Sequence, residues 1–202
     1  MKFRNKKIAY QSQKKFQIGK NIIAYKVGAS NYQSRQFFSS KDILLGSLSE
    51  EKVHFADVTK NYPISELEIV AKLNSSSVSN GDVVIQDLFI GIECPEQTIE
   101  NPKGDPLICI ADNCCAGDLI IYEKIDGKIP TKINIFCNNN LISTGKLDSL
   151  CYSIDEILMK FVRIVIKNNF YFNTDSIYVA TGGISETFSL NKGMNLRFEY
   201  ES

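Results

Sequence analysis

Short segments rich in β-branched and aromatic residues recur along almost the whole chain, and turn-forming residues separate them. Segments of this kind predict β-strands joined by tight turns. We predict strands over residues 22–27, 66–73, 88–94, 119–124, 132–137, 176–180 and 195–200. The sequence Asn138-Asn139-Asn140 predicts the tip of a hairpin between residues 133–137 and 141–144.

One long amphipathic helix is predicted in the C-terminal third of the chain. Ser153 and Glu156 have the spacing of a capping box, and apolar residues then recur at helical intervals as far as Val165. A second, shorter helix is predicted over residues 79–86. A series of strands with few helices predicts an α+β fold, in which helices pack on a β-rich mixed sheet.

Length and charge limit the kinds of protein that this chain can be. A chain of 202 residues predicts one domain over residues 1–202, with a short N-terminal extension over residues 1–20. Lys plus Arg and Asp plus Glu number 23 each, so we expect neither a nucleic acid nor a membrane as partner. No export signal and no membrane span are recognisable, and the six cysteines form no C-x-x-C pair. We therefore expect reduced thiols in a cytoplasmic protein.

Three glutamates at strand positions are candidate metal ligands. Glu66 and Glu68 are two residues apart, so a strand places them on one face, where they repel each other unless a cation or solvent intervenes. Mg²⁺ and Mn²⁺ prefer carboxylate oxygens. Taken alone, the pair is better explained as the solvated face of an edge strand. Glu93 closes the next apolar segment, where it is either a third ligand or the point at which the strand meets water.

Asp112 and Asn113 stand among small residues in the sequence Ala-Asp-Asn-Cys-Cys-Ala-Gly over residues 111–117. Small side chains around two polar ones indicate backbone packed closely beside a polar site. An Asx-type turn explains the same residues without any site. Both interpretations remain open at this point.

Taken together, these segments resemble the 2-hydroxypenta-2,4-dienoate hydratases and 4-oxalocrotonate decarboxylases, the hydratase/decarboxylase branch of the fumarylacetoacetate hydrolase superfamily. The shared features are an E-x-E strand, a later strand that ends in Glu, and an A-D-N-small-small-G segment. The sequence Tyr25-Lys26-Val27-Gly28-Ala29-Ser30 is similar to a strand end of the family upstream of these. Ala180-Thr181-Gly182-Gly183 and Asn191-Lys192-Gly193-Met194 resemble its C-terminal motifs. The resemblance extends over roughly residues 19–200 and favours metal ligation over a solvated face for the glutamates.

The resemblance implies a fold and a metal. The fold would be the β-rich roll of the superfamily's C-terminal domain. Glu66, Glu68 and Glu93 would hold Mg²⁺ or Mn²⁺. The substrate would be a small 2-oxo or 2-hydroxydienoate acid that chelates the metal, and the reaction would pass through an enolate that the metal stabilises. Hydration is favoured over decarboxylation.

The resemblance also implies roles for five other side chains. Lys26 and Asp112 are the candidate catalytic residues, and Lys26 would act as a proton donor or acceptor if burial adjusts its pKa. Asn113, Thr181 and Asp57 would contact the substrate or shape its pocket. By analogy with the family, the chain would form homo-oligomers or pair with a related enzyme subunit.

Two departures from the family pattern keep alternatives open. Relatives have a longer helical region before the first strand, and they have a histidine in a motif where this chain reads Leu150-Cys151-Tyr152-Ser153. The chain could therefore be a non-catalytic member or a partner subunit. A hydrolase or tautomerase acting on a related diketo acid is a further alternative.

Overall fold

The computed structural model describes residues 6–96, 98, 104–170 and 172–201. The helices are α1 (Lys6–Gln13), α2 (Tyr32–Phe37), α3 (Ser75–Asn80), α4 (Pro106–Ala111) and α5 (Ile154–Asn168). The strands are β1 (Ile22–Gly28), β2 (Leu44–Ser49), β3 (Val53–Phe55), β4 (Tyr62–Asn74), β5 (Ile85–Cys94), β6 (Asp118–Lys124), β7 (Lys132–Cys137), β8 (Asn140–Lys146), β9 (Ser176–Ala180), β10 (Phe188–Leu190) and β11 (Leu196–Glu201).

Most strands belong to one mixed sheet. Its order is β2-β1-β9-β4-β5-β6-β3, and β10 pairs with the beginning of β4. The pairs β1–β9 and β6–β3 are parallel, whereas β1–β2, β9–β4, β4–β5 and β5–β6 are antiparallel. The strands β11, β7 and β8 form a separate antiparallel sheet. The predicted α+β fold, a mixed sheet with a few helices, is confirmed.

Helix α5 covers one face of the large sheet. Its capping box is formed as predicted, since the Ser153 hydroxyl accepts from the Glu156 amide and the Glu156 carboxylate accepts from the Ser153 amide. The apolar face of α5 is buried, and the ring of Phe161 lies 5.4 Å from that of Tyr25 in β1. Because side chains alternate along a strand, Lys26 projects to the opposite face. The sheet therefore has its main core on one side and the polar residues of interest on the other.

Helix α1 occupies part of the predicted N-terminal extension. Ala9, Tyr10 and Gln13 are buried, and the Tyr10 ring packs edge-on against Phe170 at 5.9 Å. Burial of these residues makes the segment part of the core. None of the helices in the described part of the chain is long and apolar enough to cross a membrane.

The helix predicted over residues 79–86 is wrong in position. The structure has α3 over Ser75–Asn80 instead, because the Asn74 side chain accepts from the Ser77 amide and caps the helix four residues earlier. Gly81 then ends it in the left-handed region, with φ at +99°. From Ile85 the chain is already in strand β5.

Candidate metal centre

The pairing of β4 with β5 brings three carboxylates to one place. Glu66 lies directly opposite Glu93 in the antiparallel ladder, and Glu68 lies opposite Gly91 on the same face. One carboxylate oxygen from each glutamate lies within 4.8 Å of the other two. Glu68 and Glu93 are almost completely buried, at 1% and 0% exposure. Like charges directly across a ladder repel each other, so this arrangement requires compensation.

Lys26 provides one compensating charge. Its Nζ lies 2.9 Å from Oε2 of Glu93, and both side chains are buried. Lys26 lies on β1 beside Ala180 of β9, and Ala180 in turn lies beside Val70 of β4. The long lysine side chain therefore reaches over β9 and β4 to a glutamate on β5.

A backbone amide provides the second compensation. The amide of Gly182 donates to Oε2 of Glu68 at 2.8 Å. Gly182 has φ at +113°, and a Cβ there would lie 1.6 Å from Oγ of Ser30. Only glycine fits this position, which gives the Thr-Gly-Gly sequence a structural role in holding Glu68.

Burial changes the proton affinities of these groups. It raises the pKa of Glu68, and the nearby charge of Glu93 raises it further against the opposing effect of Lys26. Burial also raises the pKa of Glu93 to about 7, although Lys26 acts against this. For Lys26, burial alone would lower the pKa, but Glu93, Glu68 and Glu66 together outweigh burial and raise it. Lys26 is therefore a firmly held ammonium ion in this arrangement and not a ready base.

The cluster is suited to a hard dication. When all three carboxylates are ionised, one ammonium leaves two negative charges unbalanced at a largely buried site, and a dication would balance them. Oε1 of Glu93 is buried with no hydrogen-bond partner among the described residues. Mg²⁺ and Mn²⁺ prefer carboxylate oxygens as ligands, and this cluster offers three carboxylates.

A cavity of about 180 Å³ opens beside the carboxylates. Lys26, Glu66 and Glu68 line one part of it, and Cys109, Cys114 and Cys115 line another. The remaining wall comes from the end of β1, from α2 with the residues on either side of it, and from Gly183. Sequence reasoning predicted small residues beside a polar site at 111–117 but did not single out these thiols.

Asp112 and Asn113 hold the wall of the cavity and do not line it. The Asp112 carboxylate accepts from the amide of Thr98 at 3.2 Å and also from its hydroxyl. Oδ1 of Asn113 accepts from the Ser47 amide at 2.8 Å and from Nε2 of Gln13 at 3.0 Å, and its Nδ2 donates to the Ser47 carbonyl. The side-chain amide thus fastens this segment to β2 and to α1.

Backbone strain is concentrated in the same segment. Three consecutive residues, Asn113, Cys114 and Cys115, have φ values of +56°, +53° and +56°. L-residues rarely adopt this left-handed conformation, and such strain is characteristic of functional sites that the surrounding structure holds in place. The hydrogen bonds of Asn113 supply that restraint.

Two other predicted residues are not brought to the cavity. The Thr181 hydroxyl is fully buried and donates to the Ile69 carbonyl at 2.9 Å. This hydrogen bond holds the chain just after β9 against β4. Asp57 is exposed in the loop after β3 and is not among the residues that line the cavity. His54 lies 3.6 Å from Asp118 in a separate ionic cluster.

Comparison with known proteins shows the fold. No profile of a known protein family matches the sequence, and no curated protein matches it. Among solved structures, 4-oxalocrotonate decarboxylase from Pseudomonas putida G7, complexed with magnesium and adipate, matches with a TM-score of 0.73 and 16% identity, over 95% of this chain and 81% of that one. A fumarylacetoacetate hydrolase family protein from Yersinia pestis CO92 matches with a TM-score of 0.57 and 13% identity, over 89% and 88%.

A third structure is fumarylpyruvate hydrolase from Pseudomonas aeruginosa in complex with Mn²⁺ and pyruvate. It matches with a TM-score of 0.56 and 14% identity, over 88% of this chain and 84% of that one. The chain therefore has the fold of the fumarylacetoacetate hydrolase superfamily. At the level of the fold, the resemblance recognised in the sequence is confirmed.

Proposed function

We propose that this chain is a metal-dependent lyase of the hydratase/decarboxylase branch, acting on a small 2-oxo or 2-hydroxydienoate acid. The observation that carries the proposal is the convergence of Glu66, Glu68 and Glu93 within 4.8 Å of one another, with Lys26 beside them. Two of these carboxylates are buried, and burial of like charges side by side costs free energy that a bound cation would offset.

Glu66, Glu68 and Glu93 hold the cation in this proposal, and Mg²⁺ or Mn²⁺ is the expected ion. The structures with this fold include one complexed with magnesium and one with Mn²⁺. A bound dication would supply a Lewis acid that stabilises negative charge on the substrate's oxygens as an enolate forms. With such an ion, the dication and Lys26 together balance the three carboxylates.

Lys26 keeps its proton and has two tasks. Its ammonium fixes Glu93, and it attracts an anionic substrate into a cavity whose other charges are carboxylates. Because its pKa is raised, Nζ of Lys26 can donate a hydrogen bond to the substrate and hold its charge, but it is a poor donor of the proton itself. The carboxyl group of Asp112 acts indirectly. It accepts a hydrogen bond from the Thr98 amide and so holds the cavity wall in place.

The three thiols form the less polar part of the cavity wall. Cys109 and Cys114 are almost fully buried, and thiols form only weak hydrogen bonds. A small cavity with this lining suits the apolar, conjugated part of a dienoate better than a fully hydrated polar group. The cavity volume of about 180 Å³ also favours a small acid.

The test compares wild type with Glu68→Gln. Consumption of 2-hydroxypenta-2,4-dienoate and release of carbon dioxide from a 2-oxo-enedioate are each followed with Mg²⁺ and with Mn²⁺, and Mn²⁺ binding is measured by calorimetry. Loss of one carboxylate ligand should weaken metal binding by more than roughly a hundredfold and remove turnover. Glu123→Gln changes an exposed glutamate on β6 in the same way and should leave both unchanged.

Each result separates the alternatives. Turnover of one substrate identifies the reaction as hydration or decarboxylation. Metal binding that depends on Glu68 without turnover of either substrate would refute the lyase and support a non-catalytic member. Equal Mn²⁺ affinity in wild type and Glu68→Gln would refute the metal centre itself.

A further inference from the structure

A groove of about 600 Å³ lies between α1 and α5 and contains an unusual excess of positive charge. Five of its lining residues are cationic, and Asp42 is the acidic one: the cationic residues are Lys6, Lys7, Lys160, Arg163 and Lys167. We refer to these five residues as the basic groove. The whole chain has no net charge, so this local excess does not follow from its composition.

The helical spacing explains how the charges meet. Residues 160, 163 and 167 of α5 are three and four positions apart, so they share one face of that helix. Lys6 and Lys7 lie in the first described turn of α1, and that turn contains no acidic residue.

Most of this charge has no internal counterpart. Lys160 contacts Asp42 at 3.4 Å, and its ammonium lies over the Tyr152 ring at 4.5 Å. No ion pair within the described part of the chain involves Lys6, Lys7, Arg163 or Lys167. Cations that line one groove repel each other, and a multiply charged anion would relieve this repulsion.

We propose that the basic groove binds a small polyanion of the oligophosphate class. Lys and Arg side chains are the usual ligands of phosphate oxygens, and the volume lies within the range of small-molecule pockets. A single-stranded nucleic acid fits less well, because it needs exposed aromatic rings for base stacking. The aromatic side chain that lines the groove is Tyr10, and it is 3% exposed. The proposal does not depend on the metal centre or on lyase activity.

The experiment measures binding of inorganic triphosphate by calorimetry at low ionic strength. We expect saturable one-to-one binding to the full chain and a steep loss of affinity as salt is added. Lys7→Glu with Lys167→Glu reverses one exposed charge on each side of the groove and should weaken binding at least about tenfold. Lys128→Glu with Lys192→Glu makes the same change in total charge at exposed sites outside the groove and should bind as wild type does.

Three results would overturn the proposal. These are the absence of saturable triphosphate binding by wild type, equal weakening in the control variant, and tighter binding of a single-stranded oligonucleotide than of triphosphate. Circular dichroism checks that the variants are folded. If the double Glu variant is unfolded, Lys7→Gln with Lys167→Gln replaces it, since this milder change still removes both charges.

Discussion

Gly183 determines where the carboxylate of Glu66 can lie. A Cβ at residue 183 would lie 3.0 Å from Cδ of Glu66 and 3.1 Å and 3.2 Å from its two oxygens. Contacts this short force the flexible carboxylate to move by a few tenths of an ångström. Glycine at this position therefore leaves the most exposed of the three candidate ligands free to complete the cluster.

Gly183→Ala should weaken Mn²⁺ binding about tenfold, as expected for a change that displaces a ligand without removing it. The free energy of unfolding should change little, because φ at residue 183 is not in the left-handed region. Calorimetric titration with Mn²⁺ provides the measurement. Gly28→Ala adds a methyl group to the same cavity wall at an ordinary 3.8 Å from Leu44 and should bind Mn²⁺ within twofold of wild type. Equal affinities in wild type and Gly183→Ala would contradict this account.

Individual site residues differ in how far the sequence predicts them. The grouping of Glu66 with Glu68 follows from strand alternation alone, and their closeness to Glu93 requires only the pairing of two adjacent strands. The partners of Asn113 and Thr181 depend on contacts 66 and 112 residues apart. No local pattern encodes contacts at such separations, so the supporting roles of these side chains emerge only in the fold.

At the scale of elements, α5 is the clearest example of local sequence determining structure. It begins at a complete capping box and carries acidic residues in its first turn. Its end is also locally determined, because Asn169 adopts φ of +51° and terminates the helix. These local signals are the reason that the helix begins where the sequence predicts and includes all of the predicted apolar face.

Ser153→Ala should lower the free energy of unfolding by about 1 kcal/mol, because the Glu156 amide loses its acceptor at the start of α5. Urea denaturation followed by circular dichroism provides the measurement. Ser189→Ala removes an exposed hydroxyl from β10 and is the matched control, with an expected change below about 0.5 kcal/mol. If both variants lose the same stability, the capping box contributes nothing.

Other elements could not be predicted from local patterns. Strand β2 is buried at every residue and so lacks alternation, and Gly46 within it resembles a turn residue. That glycine is required because a Cβ there would lie 2.2 Å from the carbonyl oxygen of Asn113. Helix α4 contains Ile108-Cys109-Ile110, an apolar sequence that is typical of a strand. It is a helix because the Asp105 side chain caps its N-terminus. Tertiary packing decided the case of β2, and an N-cap outside the apolar segment decided the case of α4.

At the scale of the whole molecule, a cluster around Asp118 joins the start of β6 to β4 and to the segments on either side of β3. The Asp118 carboxylate is nearly buried, accepts from the Tyr62 hydroxyl at 2.8 Å, and contacts Lys60 at 3.0 Å and Lys52 at 3.3 Å. Burial alone would raise the pKa of Asp118, but the hydrogen bonds from Lys60 and Tyr62 and the charge of Lys52 outweigh it. The pKa of Asp118 is therefore lower in the folded protein than in the unfolded chain.

A lowered carboxyl pKa stabilises the fold above the unfolded pKa, near 4, and this contribution is lost as the pH falls through the folded pKa. Asp118→Asn should reduce the free energy of unfolding by about 1–3 kcal/mol at pH 7, and the difference from wild type should shrink below about pH 4. Urea denaturation at several pH values tests this. Asp148→Asn, at an exposed position, should show no such difference. A gap between wild type and Asp118→Asn that is independent of pH would exclude the ionic contribution.

The hydrogen bonds of Asn113 have a consequence for how the N-terminus is treated in the laboratory and in the cell. One amide oxygen accepts from Gln13 at the end of α1 and from Ser47 in β2, and the same residue begins the strained wall of the cavity. Proteolytic trimming beyond residue 13 would leave all three glutamates in the chain but remove a donor from that oxygen. Removal of this segment would therefore act on the shape of the cavity, although no residue of α1 contributes to its lining.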